Sequence, residues 1–251
     1  MSAALHSGDS GPVVIFVHGV GSTAAIWNAQ LSAMSDSYRC YAVELRGNGA
    51  NQPDPDPALI SRSAFAQDVL AVADQANATR FHYVGCSLGG AVGFELWRRA
   101  PERIASFTFV GSYAAYPNAR DYVRSIESSV HAAGSMRSFA RERAAKLALP
   151  PSREAETIDQ MAGKSVASYI ATTRATWTGD YRELLGSITV PTLVVCGERD
   201  SVAPLERSEE IAAGIRGARL EVLRDAGHVA NADNPAAFTA LLRSFLENQT
   251  V

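Results

Sequence analysis

A chain of 251 residues, 47 % of them hydrophobic, carries enough apolar side chain for a large core, and the expected solution is one α/β domain with a small insertion. A formal net charge of −3 without a sustained Lys/Arg run argues against a nucleic acid or an anionic membrane as partner. Cys40, Cys86 and Cys196 form neither a metal-ligand cluster nor an even disulfide set, and no basic residue precedes Arg39 as a signal peptide requires, so the expected location is cytoplasmic.

The first strand pattern is the apolar run Val13–Val17, too short to span a bilayer, and it breaks into His18-Gly19-Val20-Gly21. Two glycines clear side chains from this loop, so a backbone N–H can approach a substrate. Val20 is the expected donor, and His18 reads as a structural hydrogen-bonder. A second strand is predicted over residues 40–45, and a proline-punctuated loop over residues 51–57. A helix then opens at Ser61, with Phe65, Val69, Val72 and Ala73 at core-facing spacing.

Strand-like residues 81–84 run into Gly85-Cys86-Ser87-Leu88-Gly89-Gly90 and on into a helical run stopped by Pro101. Strand, sharp glycine-flanked turn and helix together make a nucleophile elbow, which thrusts Ser87 above the sheet edge on the first turn of a helix. The N–H of Leu88 and the helix dipole then favour negative charge on whatever Ser87 attacks, making Leu88 the second expected oxyanion donor. A thiolate at a helix N-terminus is also activated, so Cys86 is a rival nucleophile. The elbow, however, exposes its central residue and turns the preceding one inward.

A strand over residues 106–110 ends in Gly111-Ser112-Tyr113 with no carboxylate. From 113 to 185 the pattern is helical only, with amphipathic segments over 123–133, 136–149, 153–161 and 166–177, broken by Gly134, Pro150-Pro151 and Gly163. Such an insertion is expected to cap the serine, exclude water and select the substrate. Trp27, Met136, Phe139, Tyr169 and Trp177 are the candidates to line it. A buried-strand pattern over 192–196 leads into Gly197-Glu198-Arg199-Asp200, and Asp200 is the preferred triad acid. Glu198 is adjacent, while Asp225 stands too close in sequence to reach around the ring of His228. The alternating run over 219–223 delivers Gly227-His228 to the sheet edge as the general base, and His6, His82 and His131 fit that role less well. Asn234-Pro235 starts the last helix, with Phe238, Leu241, Leu242 and Phe245.

The His-Gly loop, the elbow, Asp200 and His228, in the order Ser…Asp…His, resemble the α/β-hydrolase superfamily over nearly the whole chain. Residues 44–49 look like the family's Asp-x-Arg-Gly-His-Gly stretch, with Glu44 and Asn48 as departures, and Cys86 departs from the histidine usual in the elbow. Within the superfamily, the run from Ile188 through Gly197 to Pro204, with Ala226-Gly227-His228, Asn231, Asn234 and Pro235, is similar to the 3-oxoadipate enol-lactonases and related small esterases. The resemblance implies an α/β-hydrolase fold: a mainly parallel sheet covered by helices on both faces, residues 1–112 and 186–251 as core and 113–185 as an inserted helical cap. The family's N-terminal hairpin is expected to be shortened or absent. It further implies a serine hydrolase of a small carboxylic ester or lactone, an enol-lactone being the specific candidate, with Ser87, His228 and Asp200 as triad, Val20 and Leu88 as oxyanion hole, and neither cofactor nor metal. Hydrolysis of a vinylogous diketone C–C bond and perhydrolase chemistry use the same triad. A small-molecule-binding protein on the same fold is the non-enzymatic alternative.

Overall fold

The computed structural model describes residues 3–49, 56–147, 149 and 151–249. The proline-punctuated loop lies outside the described residues except for Asp56 and Pro57, and so does Pro150. Among the described residues there are seven strands: β1 (Ala4–Ser7), β2 (Val13–Val17), β3 (Arg39–Val43), β4 (Phe81–Cys86), β5 (Ile104–Val110), β6 (Thr192–Gly197) and β7 (Arg219–Leu223). They form one sheet in the order β1-β3-β2-β4-β5-β6-β7, parallel throughout except where β1 joins β3 antiparallel.

Both faces are covered, as a mostly parallel sheet requires. The period of two is visible in β2, where Val13, Ile15 and Val17 pack on one face and Val14 and Phe16 on the other. The first face is closed by α2 (Arg62–Gln75), α3 (Leu88–Arg99) and α9 (Leu205–Gly214) through Phe65, Val69, Val92, Phe94 and Ile211. The second is closed by α1 (Asn28–Met34), the short α10 (Ala230–Asp233) and α11 (Pro235–Leu246) through Leu31, Met34, Ala230, Phe238 and Leu242. Each such side chain contributes about 1.5–3 kcal/mol by leaving water, so the sheet is held from both sides.

Near the N-terminus β1 is an edge strand paired with β3 alone. β1 carries no sustained apolar pattern because it has a single neighbour: Leu5 is 43 % exposed, and His6 stacks on Tyr41 at 4.5 Å. Between β5 and β6 stand α4 (Ala119–Ala132), α5 (Met136–Lys146), α6 (Pro151–Ala162), α7 (Val166–Trp177) and the short α8 (Arg182–Leu185). Among the described residues of this stretch the only strand-like feature is a single bridge, Ala115 to Asp180. α4 to α7 share a core of their own, with Val123, Ile126, Phe139, Met161 and Trp177 packed against Val202 and Ala203 of the loop after β6. Among the described residues no helix is long and apolar enough to cross a membrane.

One polar group inside β4 makes stability depend on pH. His82 is wholly buried, with Nδ1 2.8 Å from Ser106 Oγ and no partner for Nε2 among the described residues. Burial lowers its pKa from 6.5 to about 4. The native state therefore keeps the ring neutral where the unfolded chain protonates it, so His82's contribution is complete above about pH 6.5 and is lost as pH falls towards 4. The loss is on the order of 3 kcal/mol at pH 4. Thermal melts across that window should show a steep fall that becomes shallower in His82→Gln; identical slopes would assign the fall to other groups.

Candidate active site

Parallel strands bring all their C-terminal ends to one edge of the sheet, and the strand order reverses direction between β2 and β4, where open α/β sheets form their clefts. The loops after β2, β4, β6 and β7 carry Val20, Ser87, Asp200 and His228 to that edge.

Ser87 follows β4 directly and adopts φ +54°, ψ −106°, a backbone state that costs on the order of 1–3 kcal/mol and persists only where its surroundings enforce it. The enforcement is visible in its neighbours. The Ser87 N–H donates to Val110 O at 2.9 Å, and Ser87 O accepts from the Gly90 N–H at 2.8 Å. A Cβ at Gly85 would stand 2.5 Å from the Gly89 backbone, and one at Gly89 would stand 2.5 Å from Val17 O. Only glycine lets strand and helix approach so closely. Ser87 Oγ is buried and makes no hydrogen bond among the described residues.

His228 and Asp200 meet from adjacent strands. His228 Nδ1 stands 2.9 Å from Asp200 Oδ2 and 3.0 Å from Oδ1. The Asp200 carboxylate is held in turn by the N–H groups of Val202 and Ala203, both donating to Oδ1 at 2.9 Å. Gly111, at φ +51°, makes the meeting possible, since a Cβ there would come within 2.6 Å of His228 O and 3.1 Å of the carboxylate. Sequence reasoning noted Gly111 only as the end of a strand without an acid. Glu198 faces elsewhere and accepts the Asp225 N–H at 3.2 Å; Asp225 is an exposed partner of Arg199.

The turn bearing Val20 is closed by the Ser22 N–H on Gly19 O at 3.2 Å. Among the described residues no acceptor takes the N–H of Val20 or of Leu88. His18 is wholly buried, with Nδ1 2.9 Å from Gly19 O and Nε2 3.3 Å from both Leu45 N and Glu44 Oε1. Lys164, between α6 and α7, donates to Ser22 O at 3.0 Å and to Asn48 Oδ1 at 2.6 Å. Lys164 thus joins the insertion both to the turn carrying Val20 and to Asn48, one of the departures from the family pattern.

Ser87 and His228 open on a narrow cavity of about 30 Å³, walled by Val20, Leu147, Thr157, Met161, Tyr169 and Trp177, together with Arg143 and Arg153. Of the expected lining residues Tyr169 and Trp177 are there, and three are not. Trp27 lies beneath the sheet between Phe16 and Phe238, at 5.1 and 6.1 Å, because the short helix that carries it packs on the α1/α11 face. Met136 and Phe139 belong to the insertion's own core, Phe139 standing 5.2 Å behind the ring of Tyr169. Arg143 and Arg153 were missed because charges on amphipathic helices normally mark the solvent face, and Met161 because an apolar helical residue reads as packing within the insertion. A larger groove of about 700 Å³ between α2 and α7 is lined by hydroxyls of Ser61, Ser63 and Thr178 but by no histidine, and its one carboxylate, Glu95, is paired with Arg98 and Arg99, so size does not locate the site.

Burial pushes the Cys86 thiol well above its ordinary range, and nearby Asp200 and Asp233 push it further, so it stays protonated. Among the described residues no three His, Cys, Asp or Glu side chains are grouped to hold a metal ion.

Comparison with known proteins agrees with this architecture. The chain is 26 % identical over 254 residues to 3-oxoadipate enol-lactonase 1 of Acinetobacter baylyi, covering 99 % of this chain and 93 % of that protein. It is 30 % identical over 246 residues to a protein of Agrobacterium fabrum that bears the name carbamate hydrolase RutD, covering 94 % and 93 %. The crystal structure of a hydrolase from Pseudomonas aeruginosa superposes with a TM-score of 0.88 at 29 % identity, covering 98 % of this chain and 94 % of that one. A family model described as the alpha/beta hydrolase fold matches residues 12–235, and the chain belongs to that family.

Proposed function

We propose that the protein is a serine hydrolase that cleaves a small carboxylic ester or lactone through an acyl-enzyme. The observation that carries this reading is a serine held in an enforced φ +54° elbow on the same cavity as a histidine whose Nδ1 is fixed by a buried aspartate. His228 Nε2 takes the proton as Ser87 Oγ attacks the carbonyl carbon, and the N–H groups of Val20 and Leu88 receive the oxyanion. The imidazolium, paired with Asp200, then returns the proton to the leaving oxygen as the C–O bond breaks. A water, deprotonated by His228, attacks the acyl carbon in the second half, and Ser87 Oγ leaves with the proton. Relatives named as enol-lactonase and carbamate hydrolase support hydrolysis at a carbonyl, and an enol-lactone is the specific candidate.

Residues 113–185 act as the cap over a core formed by 1–112 and 186–251. A cavity of about 30 Å³ holds only one or two waters, so any acyl group displaces side chains of α5 to α7 as it binds. The helices thereby sense the substrate and exclude bulk water during the first half of the reaction.

A fluorophosphonate tests the nucleophile without knowledge of the substrate. Incubation followed by peptide mapping should place the phosphonyl group on Ser87, because attack at phosphorus uses the same base and oxyanion donors. A label on Cys86, or none at all, would refute the reading.

A further inference from the structure

Glycines flank Val20 on both sides, Gly19 before it and Gly21 after it, and they leave the backbone of this turn with wide conformational freedom. An oxyanion donor, however, acts only when it stands about 2.7–3.1 Å from the developing charge. Besides its own hydrogen bond from the Ser22 N–H to Gly19 O, the turn is held from the insertion. Lys164, in the corner between α6 and α7, is 6 % exposed, and its Nζ donates to Ser22 O at 3.0 Å and to Asn48 Oδ1 at 2.6 Å. Asn48 is buried as well, and its Nδ2 donates to Leu45 O at 3.2 Å and to Arg46 O at 3.0 Å, which turns Oδ1 towards the ammonium. Met161 and Tyr169, on either side of the same corner, wall the serine cavity and lie against Gly21, where a Cβ would stand 2.9 Å from Met161 Cε and 3.5 Å from the Tyr169 ring.

Taking an ammonium out of water is costly unless fixed acceptors receive its protons, and an apolar side chain fills a buried corner at lower cost. Packing alone therefore does not account for a lysine at this place. We propose that Lys164 is a positioning residue: by tying Ser22 O to the α6–α7 corner and, through Asn48, to the loop after β3, it fixes the aim of the Val20 N–H at the oxyanion. The inference rests on Ser87 being the nucleophile and on Val20 supplying one of the oxyanion donors. Lys164 touches no reacting atom, so its loss weakens binding of the transition state and not of the ground state. A donor displaced by about 1 Å forfeits on the order of 10²-fold in rate. The segment that meets the acyl group through Met161 and Tyr169 is then the one that sets the oxyanion hole, so an acyl group seated badly against these side chains is attacked slowly even where it binds.

The test compares two ketones that differ only in fluorine, trifluoromethyl butyl ketone and methyl butyl ketone. Ser87 Oγ adds to the activated carbonyl carbon of the first as its proton passes to His228, and the carbonyl π pair becomes an alkoxide in the oxyanion hole; the second stays a ketone and reports ground-state binding. Each inhibition constant is read as protection of Ser87 against the fluorophosphonate, so no substrate need be known. Lys164→Met should weaken the trifluoromethyl ketone by about 10- to 100-fold, the scale of a misaimed oxyanion donor, and leave methyl butyl ketone within about threefold of wild type. Lys164→Arg keeps charged donors within reach of both oxygens and should recover part of the loss. Asn48→Ala removes one of the two acceptors and should shift the ratio of the two constants in the same direction by about 3- to 10-fold; this measurement decides the matter if Lys164→Met does not fold. Equal weakening of both ketones, or no change in either, would overturn the positioning role and leave the hydrolase reading standing. Failure of the fluorophosphonate to label Ser87 in the unaltered enzyme would remove that reading and the role of Lys164 with it.

Discussion

Ser87→Ala should lower kcat on any hydrolysed ester by about 10⁵- to 10⁶-fold and leave KM within a few-fold, because it removes the covalent route while cavity and oxyanion donors persist. Alanine meets the same φ of +54° as serine, and the hydrogen bonds that enforce the turn are made by the backbone, so the fold is expected to survive. The residual rate comes from binding and electrostatics alone. Cys86→Ser is the matching control. The thiol is buried, is held protonated, and among the described residues makes one hydrogen-bond contact, with His228 O at 4.0 Å, so its replacement should cost some stability but keep most of the turnover. Near-normal turnover in Ser87→Ala, with Cys86→Ser inactive, would transfer the chemistry to the thiol.

How far the sequence could be read depended on how many neighbours each segment has. β2 and β4 to β6 are buried on both faces, so mostly apolar runs marked them, unbroken in β2 and interrupted by His82 in β4 and by Ser106 and Thr108 in β5, and the turn residues marked their ends. β1 is an edge strand of four residues with Leu5 and His6 exposed, and no period survives in so short and wet a segment. Ser87, Asp200 and His228 were legible because each stands just past the C-terminal end of a recognisable strand, and parallel strands must bring those ends together. The cavity wall was legible only at Tyr169 and Trp177, because it is set by how helices of the insertion rotate about their own axes. Aromatic size drew attention to Trp27 and Phe139, one of which serves the far face of the sheet and the other the insertion's interior. Arg143 and Arg153 sit on helices whose other described charges, Arg137, Arg141, Glu142, Glu154, Glu156 and Asp159, are exposed, so nothing in the pattern singles them out. Gly111 shows the same limit at a single atom: its role is the absence of a Cβ beside His228, which only the assembled site reveals.

Asp200→Asn should reduce kcat by about 10⁴-fold with little change in thermal stability, and the structure gives a specific reason for so large an effect from one atom. Oδ1 accepts two backbone N–H groups, from Val202 and Ala203, while Oδ2 faces His228 Nδ1 at 2.9 Å. An asparagine must satisfy the same two donors with its only oxygen, which turns its amide nitrogen towards the imidazole. That nitrogen donates, so His228 Nδ1 must accept, and the ring proton moves to Nε2. A histidine protonated at Nε2 cannot take the proton of Ser87, and an imidazolium beside an amide loses its counter-charge as well. Glu198→Gln alters only an exposed carboxylate that receives the Asp225 N–H, and it should leave kcat within about twofold of wild type. Side-by-side kcat measurements on the two variants, with melting curves to confirm that both are folded, decide between the carboxylates. A 10⁴-fold loss in Glu198→Gln beside a near-silent Asp200→Asn would place the triad acid at Glu198.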